Sequence, residues 1–184
     1  MQRDLVERAQ HGDRESFEQL AEGSIAWLYN VAKLMLADSD QAEDAVQEAL
    51  VMTWHDLRGL RDPDRFDAWL RRILIRCVYR VAKGERRQAE RERQIGGDET
   101  SPDSATQLAD RDQIDRAFRR IKAEYRAVIV LHHYLGFTDQ EAGDALGVPA
   151  GTVKSRLHRA TAAMRAELEA DERRNTPFVT RSSR

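Results

Sequence analysis

The chain has 184 residues, 41% hydrophobic and 34% charged, so it can bury the cores of one or two small soluble domains. Its single cysteine, Cys77, excludes an intrachain disulfide and any Cys-x-x-Cys metal or redox motif. No apolar run has the length of a membrane span and Met1-Gln-Arg-Asp-Leu does not open a signal peptide, so a cytoplasmic protein is expected.

The net charge of −2 does not by itself suggest a nucleic-acid partner, but its distribution does. Residues 1–60 carry 5 Lys/Arg against 12 Asp/Glu, and residues 61–93 carry 11 against 6. Residues 94–149 carry 6 against 10, and residues 150–184 carry 8 against 4. Two basic segments alternate with two acidic ones, as in a protein that touches DNA at two places and another partner with its acidic parts.

The apolar spacing is helical throughout, and no alternating strand-like run is present. A first helix is predicted over 14–36, with Phe17, Leu20, Ile25, Leu28, Val31, Ala32 and Met35 apolar. A second follows over about 40–57. It turns Ala45, Val46, Ala49, Leu50 and Thr53 one way and Asp44, Gln47, Glu48 and His55 the other. Composition alone does not separate that acidic side from a plain solvated face.

Pro63 marks a turn, and a third helix is predicted from about 64 to the early nineties. At 3.6 residues per turn, Arg65, Arg72, Arg76, Arg80 and Lys83 fall within roughly 80° of one another. Phe66, Leu70, Ile73, Cys77 and Val81 form the core stripe beside them, with Trp69 at the border. A basic stripe edged by an indole suits a DNA backbone and a stacked base. Alone it fits a snorkelling arginine face equally well.

Residues 94–105 are polar and rich in Gly, Ser and Asp, and read as a flexible linker. Helices are expected again over 106–122 and 124–134. Thr138, three residues before Glu141, is a capping box that starts a short helix. Gly147 is placed to end it, and Pro149 suits the first turn of the next. That last helix is predicted over 150–169, with Val153, Leu157, Ala160, Met164 and Leu168 as its core seam. Lys154, Ser155, His158 and Arg159 lie on the opposite side, where they can donate to base edges or phosphates. Two short helices, a Gly-Val-Pro turn and a basic second helix make a helix-turn-helix that enters the DNA major groove.

The fold class expected is therefore all-α. Two small helical domains, 1–93 and 106–170, are joined by the linker 94–105, and the second is a four-helix domain with a helix-turn-helix. Residues 171–184 lack periodicity and read as a disordered tail.

The two halves together resemble an extracytoplasmic-function sigma factor, the two-domain initiation subunit of bacterial RNA polymerase. In the second half the likeness rests on Tyr125-Arg-Ala-Val-Ile-Val-Leu, Gly136-Phe-Thr-Asp-Gln-Glu-Ala and Gly147-Val-Pro-Ala-Gly-Thr-Val-Lys-Ser-Arg-Leu-His-Arg-Ala160. In the first half it rests on Ala42-Glu-Asp-Ala-Val-Gln-Glu-Ala49, with Trp54 beyond, and on Phe66-Asp-Ala-Trp-Leu-Arg-Arg-Ile73.

The resemblance implies that Asp44, Gln47 and Glu48 bind the clamp helices of the polymerase's largest subunit. It implies that the loop 58–64, with Arg61, opens and holds the −10 element together with Arg65, Trp69, Arg72, Arg76, Arg80 and Lys83. Thr152, Lys154, Ser155, Arg156, His158 and Arg159 would read the −35 element. The linker would thread the polymerase between the two domains, and an anti-sigma protein would hold the factor inactive. The chain departs from the family's pattern at Ile121-Lys122, where Leu-Pro is frequent. It departs also at Arg76, where the family has an asparagine, and at His158, which is commonly aromatic or apolar.

A stand-alone helix-turn-helix regulator that binds DNA as a dimer is the alternative. It would need a dimerisation helix or ligand domain, and the first half has no pocket signature. An enzyme acting on nucleic acid is disfavoured: no Gly-rich phosphate loop, metal-placed carboxylate cluster or paired nucleophile is present. His132 and His133, adjacent on a helix, point about 100° apart and do not share a metal from one face. No catalytic residue, metal or cofactor is expected. A pure interaction protein would have no need of the basic face on the last helix.

Overall fold

The computed structural model describes residues 1–94 and 111–175. The expected linker lies outside them except for Gln94, as do residues 106–110 and 176–184. Among the described residues there are eight α-helices and no strand.

Helix α1, Gln2–Gln10, precedes the first helix expected from the sequence. Its apolar residues Leu5, Val6 and Ala9 share one side, and Val6 and Ala9 are buried. Helix α2, Arg14–Leu36, starts where Asp13 accepts the amides of Glu15 and Ser16, an N-cap that Arg8 and the Ser16 hydroxyl hold from the side. Its end at Ala37 is left-handed, with φ 62°, and the Ala37 amide donates back to the Lys33 carbonyl.

Asp38 caps helix α3, Ser39–Asp56, through the Gln41 amide. Two tight turns, Leu57–Gly59 and Pro63–Arg65, then lead into helix α4, Phe66–Gln94. Leu28, Val31, Ala32 and Met35 of α2, Ala42, Ala45 and Ala49 of α3, and Phe66, Leu74 and Val78 of α4 are almost wholly buried. The many alanines on α3 let it lie close to its neighbours. Phe17 of α2 stacks at a tilt on Trp54 of α3, ring centres 4.9 Å apart.

The second unit holds helices α5, Arg111–Arg120, α6, Ala123–Ile129, α7, Asp139–Leu146, and α8, Ala150–Asn175. Helices α5, α6 and α7 all pack on α8, which is the spine of the unit. After α6 the chain continues through one wide π turn, Val130–Tyr134. Lys122, before α6, takes φ −57° and ψ 143°, angles that a proline would also take, so this turn forms without the Leu-Pro of the family's pattern.

The two units pack on each other, α2 on α6 and α4 on α6 and α7. Arg126 of α6 is the main polar tie. Its guanidinium donates to the carbonyls of Met35 and Leu36 at the end of α2, each at 2.9 Å. It also donates to Arg119 and Ile121 of its own unit, at 2.9 and 2.8 Å. Those carbonyls belong to helix ends, which lack intrahelical donors.

The last helix corrects one expected boundary. It runs on to Asn175 instead of stopping near 170, because Asp171 is buried among Arg116 and Arg120 of α5 and Arg174 one turn on. Residues 171–175 are therefore helical and not part of a tail.

Candidate nucleic-acid interface

The helix-turn-helix is built from caps outward. Thr138 accepts the Glu141 amide at 3.2 Å, while the Glu141 carboxylate accepts the Thr138 amide at 3.0 Å and its hydroxyl at 2.9 Å. The amide bond first, and the hydroxyl next, hold the Glu141 carboxyl below the usual carboxylate range. Helix α7 ends at Gly147, left-handed at φ 65° and ψ 37°. Within α7, Gly143 lies against the turn: a Cβ there would be 2.7 Å from the Val148 carbonyl oxygen. The Val148 amide donates to the Gly143 carbonyl at 3.0 Å, so the turn closes directly on that glycine. The Pro149 carbonyl then accepts the amides of Thr152 and Val153, the first bonds of α8.

Val153 and Ala160 are fully buried and fix the rotation of α8. Lys154, Ser155, His158 and Arg159 stand exposed on its outer side, and Thr152 is half-buried at the margin. Arg156 differs from them. Its side chain is 17% exposed, pairs with Glu124 of α6 at 3.4 Å and donates to the Tyr79 hydroxyl of α4 at 3.3 Å. It faces the other unit and not the outer face of α8. The spacing carries the signal: three residues past Val153, Arg156 lies about 60° from the core seam.

The basic side of α4 is solvent-facing. Arg72, Arg76, Arg80 and Lys83 are exposed and Trp69 is half-buried, its ring 6.4 Å from that of buried Phe66. Arg61, between the two tight turns that precede the helix, and Arg65, on the second, are exposed. Arg65 lies 3.5 Å from Asp62, whose carboxylate accepts the Asp64 amide. Cys77 is buried, as its apolar neighbours imply, and burial pushes its thiol up.

The acidic side of α3 lies next to this basic side. Asp44 and Gln47 are exposed, with Val51, 68% exposed, one turn beyond them. Glu48 is half-buried and pairs with Arg80 at 2.7 Å, so one candidate polymerase residue and one candidate DNA residue hold each other. Such exposed pairs contribute about 0–1 kcal/mol, and a phosphate or a basic partner displaces them at little cost.

His132 and His133 sit in the π turn with ring centres 4.9 Å apart and planes perpendicular. His132 is half-buried and His133 exposed. Sequence reasoning missed α1, whose three apolar positions were the signal. It missed the tie through Arg126, whose flanking Ala127 and Val128 mark that stretch of α6 as buried. It missed Gly143, whose signal is a glycine inside a capped helix.

Two family models match the chain: Sigma-70 region 2 over residues 20–88, and Sigma-70, region 4 over residues 111–164. The RNA polymerase sigma-E factor of Streptomyces avermitilis is 34% identical over 159 residues, 86% of this chain and 88% of that protein. The ECF RNA polymerase sigma factor SigL of Mycobacterium tuberculosis is 33% identical over 154 residues, 79% of this chain and 84% of that protein. Among solved structures, CnrH in complex with the cytosolic domain of CnrY is similar at a TM-score of 0.58 and 28% identity, over 92% of this chain and 98% of that one. The sigma factor RpoE in complex with the anti-sigma factor NepR from Bartonella quintana is similar at a TM-score of 0.60 and 25% identity, over 85% and 99%.

Proposed function

The chain belongs to the extracytoplasmic-function sigma factors of the sigma-70 family, and from that membership we propose how its residues divide the work of transcription initiation. It binds core RNA polymerase and directs promoter-specific initiation at −10 and −35 elements. In our reading the first unit docks on the polymerase clamp through Asp44, Gln47 and Glu48 of α3. The stretch 58–65, with Arg61 and Arg65, and the α4 face with Trp69, Arg72, Arg76, Arg80 and Lys83, open and hold the −10 element. Lys154, Ser155, His158 and Arg159 read the −35 element, with Thr152 at their edge. Arg156 supports α8 from behind.

The observation that carries this reading is the line of exposed donors on α8. The opposite side of that helix is pinned by Val153 and Ala160, so the donors are held in one orientation. Arg and Lys donors read guanine edges, and good bidentate pairs discriminate by about 1–3 kcal/mol. The neighbouring basic α4 face supplies the charge that a separated strand needs. The Bartonella quintana relative is bound to an anti-sigma factor, and a protein of that kind is proposed as this chain's regulator. The cytoplasm, where the polymerase works, is the proposed location.

Two substitutions test the division of labour. Arg159→Ala is expected to weaken −35 selectivity by about 1–3 kcal/mol while core binding stays at wild type. Asp44→Lys is expected to weaken core binding while helix content stays unchanged. Wild-type promoter selectivity in the first, or wild-type core affinity in the second, would remove that face from its role.

A further inference from the structure

Helix α1 lies outside the residues that the region 2 family model matches, yet both of its ends are bonded to the loop that we read as the strand-opening element or to its flanks. Three contacts are polar. The Gln2 amide donates to Asp67 at the start of α4 at 2.6 Å, and Arg3 pairs with Asp64 in the second tight turn. The third is Gln10, the last residue of α1 and half-buried. Its side-chain nitrogen donates to the Leu57 carbonyl at 3.1 Å and to the Leu60 carbonyl at 2.7 Å. Two carbonyls can only accept, so the amide orientation is set by its partners.

The loop is anchored from one side only. Leu57 is wholly buried, Leu60 is 9% exposed and Pro63 is buried, while α1 packs on both turns. Arg58, Gly59, Arg61, Asp62, Asp64 and Arg65 are exposed, and of these Asp64 pairs with Arg3 of α1. The Leu60 amide closes the first turn on the Leu57 carbonyl at 3.1 Å, so Gln10 clips together the two residues that bracket it. A loop of this length holds its exposed side chains in one arrangement only when something stiffens it from behind, and a readout group must be held closely to discriminate.

We propose that α1 is a positioning element for −10 readout, and that Gln10 is its positioning residue, clipping Leu57 and Leu60 so that Arg61 and its neighbours meet the separated strand in a fixed register. This rests on the assignment of the loop given under the proposed function.

The test uses the full chain assembled with core polymerase, transcribing a promoter library randomised across the −10 region. The readout is the ratio of transcripts from the best and worst base at each −10 position. Gln10→Ala is expected to lower the ratio about fivefold, the discrimination one good base contact provides, without changing core affinity or −35 preference. Gln10→Glu has the same shape but turns an acceptor toward two carbonyls, and is expected to fall at least as far. Gln10→Lys, which can donate to both carbonyls, is expected to recover most of the ratio. Val31→Ala, which opens a cavity in the same core at the wholly buried Val31 of α2, is expected to lower the melting temperature and keep the ratio.

Equal flattening in Val31→Ala would make the effect one of general stability and overturn the proposal. Flattening in Arg61→Ala, with wild-type ratios in Gln10→Ala and Gln10→Glu, would overturn the role of α1 and leave the loop assignment standing. Wild-type ratios in Arg61→Ala would overturn the loop assignment and the proposal with it.

Discussion

Gly143 shows how a single residue sets the geometry of DNA readout. A methyl group there would meet the Val148 carbonyl oxygen at 2.7 Å and the Ala150 amide nitrogen at 3.3 Å, both backbone atoms that cannot rotate away. Alanine is the better helix former by about 1 kcal/mol, but the steric cost of overpacking is about 1–3 kcal/mol and decides the sign. Gly143→Ala is therefore expected to lower the melting temperature and to weaken −35 binding, because α7 and α8 must part. A thermal melt alongside promoter binding checks it, and a melting temperature at or above wild type would show that the turn can give. The sequence carries this only as a glycine where a helix former would be better. Arg126 was less legible still. Its partners Met35 and Leu36 lie 91 and 90 residues away, and they are backbone carbonyls, which no side-chain pattern reports.

At the scale of elements, the caps were legible because they are local. Thr138 with Glu141, and Gly147, act within a few residues, and each ends or starts a helix where the spacing places it. The extension of α8 was not legible, because the group that holds it acts across 51 and 55 residues. Asp171 is 3% exposed, and its carboxyl is held well below the usual carboxylate range, first by the hydrogen bond from Arg120 and then by those from Arg174 and Arg116. A depressed value in the folded state makes the pH dependence definite. The stabilisation is whole above the unfolded value of 3.8 and is lost as pH falls through the lower folded value. The melting temperature is expected to hold down to about pH 4 and to fall as the pH is lowered further, and Asp171→Asn is expected to flatten that fall while lowering the neutral-pH melting temperature. An unchanged acid limb in Asp171→Asn would mean that other carboxylates control it. The wide turn Val130–Tyr134 has no local signal either, since Leu131 is buried and His132 half-buried at spacings that an ordinary helix also allows.

At the scale of the whole molecule, the alternation of acidic and basic segments was the most informative trace in the sequence. It separates α3, with Asp44 and Gln47 exposed, from the basic side of α4, and both from the outer face of α8. Helix α3 turns acidic residues outward and α4 and α8 turn basic ones outward, each held in orientation by its apolar seam, so two kinds of partner can be met. The packing of the two units was not in that trace, because Arg126 to α2 and Arg156 to Tyr79 are contacts between segments that periodicity treats separately. One chain thus supplies both polymerase docking and two-element promoter recognition. Run-off transcription by purified bacterial core polymerase on a pool of promoter fragments, with and without the chain, measures both at once. Transcripts are expected only when the chain is added, from fragments enriched for two distinct motifs at a fixed spacing. No transcripts together with no binding to core, or enrichment of a single symmetric repeat, would contradict it and favour a stand-alone DNA-binding regulator.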